Sequence, residues 1–248
     1  FNPSLIVTCL SGEFSKAISA KVKIVRKEAS RTLSEKEWEG YEKKVKETLL
    51  SEAESEMAAI TGNGESEVVI VENILSSVTA DNSEGLTKIP LGEIVNEVVG
   101  DYLITFTQKE TLKLMKDVIR NLGKKELFCT SRIVSLVRLL TAEDKNLNTI
   151  FISLDGTETD VDVVLGGFLI GVRSIPFGYN YFNTDSGSEV ADWISMISVA
   201  LSDFEGVKSF PARIIVLGER SKITLVEVAL RSFPWTKKFP FTGSPEIR

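Results

Sequence analysis

The 248-residue sequence contains no histidine. That absence excludes Ser-His-Asp and Cys-His nucleophile chemistry, and histidine-ligated zinc. Any chemistry must come from carboxylates, lysine, hydroxyls or a bound metal–nucleotide. Cysteine is nearly as scarce. The two present, Cys9 and Cys129, lie in apolar runs and are expected as reduced core residues rather than a disulfide. Excess basic charge is missing too. A net charge of -6 argues against a nucleic-acid partner, because neutralising phosphates takes clustered Lys and Arg. No apolar run approaches the roughly 18 residues that cross a bilayer, and no signal-peptide pattern opens the chain. The expectation is a cytoplasmic protein without a transmembrane segment. The chain starts Phe1-Asn2-Pro3, with no Met and with Leu5 already in a strand-like run, so it reads as a fragment.

What is present is an ordinary globular composition, 43% hydrophobic and 26% charged. The length allows one large domain or two small ones. Leu5 to Leu10 is a β-type run. Lys21 to Lys27 alternates, with Val22 and Ile24 or Val25 facing inward. Ser34 and Glu37 form a capping box ahead of a helix over about 35–60. Its apolar stripe is Trp38, Tyr41, Val45, Leu49, Met57 and Ile60. Asn63-Gly64 closes it. Glu67 to Ser77 and Val98 to Phe106 read as strands, separated by a polar loop from Thr79 to Lys88. Together these make an α+β unit over 1–106.

Thr107 and Glu110 make a second capping box, for a helix striped by Leu112, Met115, Ile119 and Leu122 and stopped at Gly123. A short strand, Leu127 to Cys129, precedes an apolar helix from Ser131 to Leu140 that should be buried. Thr141 to Asn146 is a polar, hinge-like link. The central stretch runs from Thr149 to Tyr181. A buried strand, Ile150 to Leu154, enters the turn Asp155-Gly156-Thr157-Glu158-Thr159-Asp160. Val161–Leu165 and Phe168–Ile175 then meet at Gly166-Gly167, a tight-hairpin signal. Ser186 to Phe204 is a helix with Val190, Trp193, Ile197, Leu201 and Phe204 on one face. A buried strand, Arg213 to Leu217, ends at Gly218. Lys222 to Arg231 is a helix, and the tail from Phe233 has little regular pattern. Trp235 in that tail has no clear place in the pattern.

Strand, polar turn, Gly-turned hairpin, helix, strand-Gly, helix is the order of elements in lobe II of actin-like ATPases. Leu10-Ser11-Gly12, Leu33-Ser34-Glu35, Pro90-Leu91-Gly92, the segment Val134 to Asp144, and Ile175-Pro176-Phe177-Gly178 resemble the FtsA/PilM branch of that superfamily. The resemblance implies an α/β fold: an actin-like ATPase core fragment with a ribonuclease-H-like lobe and an FtsA-like strand-helix-strand-strand (SHS2) insert. The implied divisions are an insert at 1–106, lobe I helices at 107–147 and lobe II at 148–248. The implied nucleotide-side residues are Ser153, Asp155, Gly156, Thr157, Thr159, Asp160, Gly218 and Ser221, with Asp155 toward a metal and Mg-ATP as the cofactor.

The motif departs from the family's Asp-Ile-Gly-Gly-x-Thr-Thr-Asp. Aligned on Thr159-Asp160, the leading Asp is Ser153, the first Gly is Asp155, and a Thr is Glu158. Glycines permit close backbone approach to phosphate; carboxylates there repel it. On the adenosine side, Gly218-Glu219-Arg220-Ser221 keeps only the outer two residues of Gly-Gly-Gly-Ser. The expected function is therefore a cytoplasmic, non-catalytic scaffold of the FtsA/PilM type. It would serve a membrane-associated machine of cell division or type IV pilus assembly, with protein partners and self-association through the insert. The alternative is an active Mg-ATP-binding ATPase using Asp155 and Asp160. Asp155, Glu158, Asp160 and Asp162 could hold Mg²⁺, but the favoured reading is a polar turn with the outward face of a hairpin.

Overall fold

Strand pairing and one long helix organise the first part of the chain. The computed structural model describes residues 5–10, 14–62, 67–81, 83–86, 88–124, 126–182, 188–204 and 206–248. Contacts divide the chain into two units, 1–9 with 17–131 and 10–16 with 132–248. In the first unit, β1 (Leu5–Leu10) is followed by β2 (Lys16–Val25), α1 (Glu35–Thr61), β3 (Val68–Ala80), β4 (Ser83–Leu86), β5 (Glu97–Gln108), α2 (Lys109–Asn121) and β6 (Glu126–Ser131). Four strands form a sheet in the order β2-β5-β3-β4, while β1 pairs with β6.

Helix α1 starts as its sequence dictates. Ser34 is extended, and its Oγ accepts the Glu37 amide. The helix stops at Gly62, left-handed at φ 65, whose amide donates to Ala58; Asn63 and Gly64 lie outside the described residues. Val45, Leu49, Ala53 and Met57 pack against Val22, Ile24, Ile104 and Phe106 of the sheet. Ile60, expected on that stripe, is exposed, as is Val25. The polar loop expected from Thr79 to Lys88 instead contains β4, paired antiparallel to the end of β3. Thr107 does not cap α2: it is a buried residue of β5, and Gln108 stands at the cap without a capping side-chain bond. Cys9 is exposed rather than in the core, whereas Cys129 is buried, and neither forms a disulfide.

In the second unit, α3 (Arg132–Glu143) leads into β7 (Thr149–Leu154), β8 (Thr159–Leu165) and β9 (Phe168–Ile175). A short 3-10 turn, Tyr179–Tyr181, precedes α4 (Ser188–Ser202), β10 (Arg213–Gly218), α5 (Arg220–Ser232), α6 (Trp235–Lys238) and β11 (Glu246–Ile247). The sheet order is β11-β10-β7-β8-β9. Strands β11, β10 and β7 run parallel, and β8 and β9 fold back antiparallel. Gly166 and Gly167, at φ 58 and 83, supply the two left-handed positions of a two-residue hairpin.

One face of this sheet carries Ile150, Ile152, Val161 and Val163, packed against Trp193, Ile197 and Leu201 of α4 and Val226 and Leu230 of α5. Helix α3 is buried on one face only, through Ile133, Val134 and Val137; Leu139 is exposed, so its apolar sequence overstates its burial. The tail is more regular than its prolines suggest. β11 adds a parallel edge strand, and Trp235 is buried, donating its indole N–H to the Leu230 carbonyl. Phe233, Phe239 and Phe241 pack with it, so the tail extends the aromatic part of the same core.

Candidate functional site

The carboxyl ends of β7 and β10 form the edge where open α/β sheets hold ligands. Leu154 closes β7, and Leu154 and Thr159 pair across the start of the hairpin. Between them, the Asp155 amide donates to the Glu158 carbonyl and closes a short turn. Gly218 lies beside Leu154 on β10. A Cβ on Gly218 would come within 2.7 Å of the Leu154 carbonyl oxygen, so glycine here is required by strand packing. The fold thus brings Ser153, Asp155, Gly156, Thr157, Thr159, Asp160, Gly218 and Ser221 to one end of one sheet.

Most side chains of the turn are already engaged within the unit, although one Glu158 carboxylate oxygen, Oε1, is buried without a partner. Both oxygens of Asp155 accept from Arg132, at 2.9 and 2.7 Å, in a fork-to-fork pair. Glu158 is buried and paired with Lys16. Thr159 donates to the Phe177 carbonyl at 2.7 Å and accepts the Trp193 indole N–H at 2.8 Å, so its hydroxyl ties the hairpin to α4. Ser153 is buried in β7, opposite Asp160. On the far side of the edge, Ser221 donates to Glu219. Thr157 is the exposed member of the turn.

The backbone of the turn is covered as well. The Tyr179 and Asn180 amides donate to the Asp155 and Gly156 carbonyls, both at 2.9 Å. A Cβ on Gly178 would stand 2.4–2.5 Å from Asp155 O, Glu158 N and Gly156 O. Glycine in Ile175-Pro176-Phe177-Gly178 therefore serves to seat this segment on the turn. Lys222 of α5 lies over the Tyr179 ring at 5.4 Å from its centroid, linking the β10–α5 corner to the cover.

Behind the turn, Asp160 and Asp162 occupy alternate positions of β8. Burial pushes Asp160 up to about 6 against the hydrogen bond from Ser174, with Glu158 adding to the rise. Asp162 is fully buried, and neither of its oxygens has a partner. Burial and then the charge of Asp160 push it well above the usual carboxylate range. Among the described residues, no three acidic or cysteine side chains converge as a metal-holding group. With Asp155 on Arg132 and Glu158 on Lys16, the donor set does not fit Mg²⁺ as folded here. Sequence reasoning missed Arg132, Lys16 and the 179–181 cover. Only the Ile-Pro-Phe-Gly run signalled any of them.

No protein-family model matches the chain, and no curated protein does. Solved structures do. The chain aligns over 99% of its length with 70% of a chain from a PilM–PilN type IV pilus biogenesis complex, at 14% identity and a TM-score of 0.63. It also aligns, over 98% of its length and 67% of the other chain, with a Bacteroides thetaiotaomicron protein described as having an actin-like ATPase fold and unknown function. That match has 13% identity and a TM-score of 0.44. The chain shares its fold with that chain of the pilus biogenesis complex.

Proposed function

We propose that this chain is a non-catalytic, actin-like scaffold of the FtsA/PilM type, working in the cytoplasm and holding protein partners for a membrane-associated assembly machine. In this reading, 1–106 is the insert that meets partners or a second copy, 107–147 links it to the core, and 148–248 is lobe II. Among the two machines the sequence resemblance offered, pilus assembly is favoured over cell division, because the PilM neighbour was solved in a pilus biogenesis complex.

The observation that carries the reading is the Asp155–Arg132 pair. An ATP-binding turn offers free amides and an unpaired acid to phosphate and its metal. This one has both acid oxygens on an arginine and its carbonyls bonded to the Tyr179 and Asn180 amides. The alternative is an active Mg-ATP enzyme using Asp155 and Asp160. It draws support from Asp160, whose value of about 6 suits a general base.

Phosphate release from Mg-ATP separates the two. The scaffold reading expects the wild-type chain and Asp155→Ala to match buffer alone over hours. Release that depends on Asp155 would establish the ATPase instead.

A further inference from the structure

Helix α1 crosses the four-stranded sheet, and over its amino-terminal half the two layers leave a cavity of about 340 Å³. That volume is within the range of sites for small ligands or single side chains. Its walls include Trp38 from the helix and Tyr102 from β5; Glu42, Lys46 and Asn73 line it with polar groups. Tyr102 is only 8% exposed. Its ring lies over Gly100, where an added Cβ would come within 2.7 Å of the ring. The ring is thus fixed in place, and among the described residues its hydroxyl makes no hydrogen bond. The Asn73 side chain is equally unengaged among them. Glu42 has only Lys46 for a partner, at 4.0 Å, with the two side chains 50% and 70% exposed. Such a loose surface pair contributes little.

We propose that this cavity receives one arginine side chain from a protein partner. Beside the Lys46 ammonium, the polar groups facing it are a carboxylate, an amide and a phenol, each able to accept. They call for a donor-rich ligand. Two aromatic walls favour a flat, weakly hydrated cation, and guanidinium combines that stacking with five N–H donors. Glu42 supplies the carboxylate for it, and Lys46, paired with Glu42 only at 4.0 Å and 70% exposed, can turn outward to make room. Burial and then the charge of Glu42 raise the Tyr102 phenol, the response of a group in a negative potential. The site lies within the first unit and is independent of the nucleotide edge.

The test is a titration of the whole chain with Gly-Gly-Arg-Gly-Gly, followed by amide and indole NMR. Three tryptophans give three indole signals, and Trp193 and Trp235 are buried in the other unit. The proposal expects the Trp38 signal to shift saturably in the millimolar range while those two stay fixed. It expects the citrulline peptide, which lacks the charge, to do nothing. Glu42→Gln alters an exposed helix position; it should weaken binding about tenfold, ~1.4 kcal/mol, with the Trp193 and Trp235 signals reporting that the fold is intact. No shift at Trp38, an equal shift with citrulline or lysine peptides, or full binding in Glu42→Gln would each overturn the assignment.

Discussion

Arg26 and Asp162 are both ionisable side chains sealed inside the protein, and they have opposite consequences. The Arg26 side chain is fully buried, yet every direction of its guanidinium is used. It forks onto Glu37 at 2.8 Å twice, and donates to the Arg31 and Val95 carbonyls. The fork holds Glu37 below the usual glutamate range and ties the start of α1 to two loops. Removing Arg26 leaves Glu37, 26% exposed, without its counter-charge and two carbonyls without their donor. Arg26→Ala should therefore cost ~1–3 kcal/mol in denaturant unfolding. Asp162 has no such partner. Its raised value means that the folded protein keeps a proton which the unfolded chain gives up above about pH 4. That stabilising contribution is complete below the unfolded value and is lost as pH rises through the folded one. Asp160 acts in the same direction, its loss running from the ordinary carboxylate value to about 6. The melting temperature of the second unit should thus fall from pH ~5 to pH ~8. Asp162→Asn should stabilise the unit at the upper end, by ~1–3 kcal/mol, and flatten the slope. A variant less stable than the parent at pH ~8 would mean that the buried acid has a partner in solution.

Helix α4 and the 178–181 segment hold the hairpin from two sides. Trp193 is fully buried, meets Phe182 edge-on at 5.9 Å, and hydrogen-bonds Thr159. Trp193→Ala should cost ~3–5 kcal/mol. A melting temperature within two degrees or so of the parent would refute the helix-face assignment. Gly178→Ala is sharper, because the new methyl meets three backbone atoms rather than movable side chains. It should lift the cover off the turn, seen as faster hydrogen exchange at the Tyr179 and Asn180 amides. Periodicity made these elements readable. The stripe of α4, the glycine pair of the hairpin and the Ser34 cap were all legible from residue spacing. Short or paired pieces were not: β4 spans four residues and β11 two, too few for any pattern, and each exists because a neighbouring strand offers an edge.

Across the whole chain, order of elements was more legible than the chemistry at the site. An acid in a turn reads the same in sequence whether it faces a cation or an arginine from a distant helix. Arg132 lies 23 residues before Asp155, and Lys16 lies 142 before Glu158. Only the fold brings these charges together, and their pairing is what distinguishes a closed turn from a nucleotide site. Titration calorimetry of the intact chain with Mg-ATP is the most direct measurement. The closed-turn account predicts no heat of binding up to about millimolar ligand, an affinity no better than ~4 kcal/mol. Micromolar binding that vanishes in Asp155→Ala would contradict it.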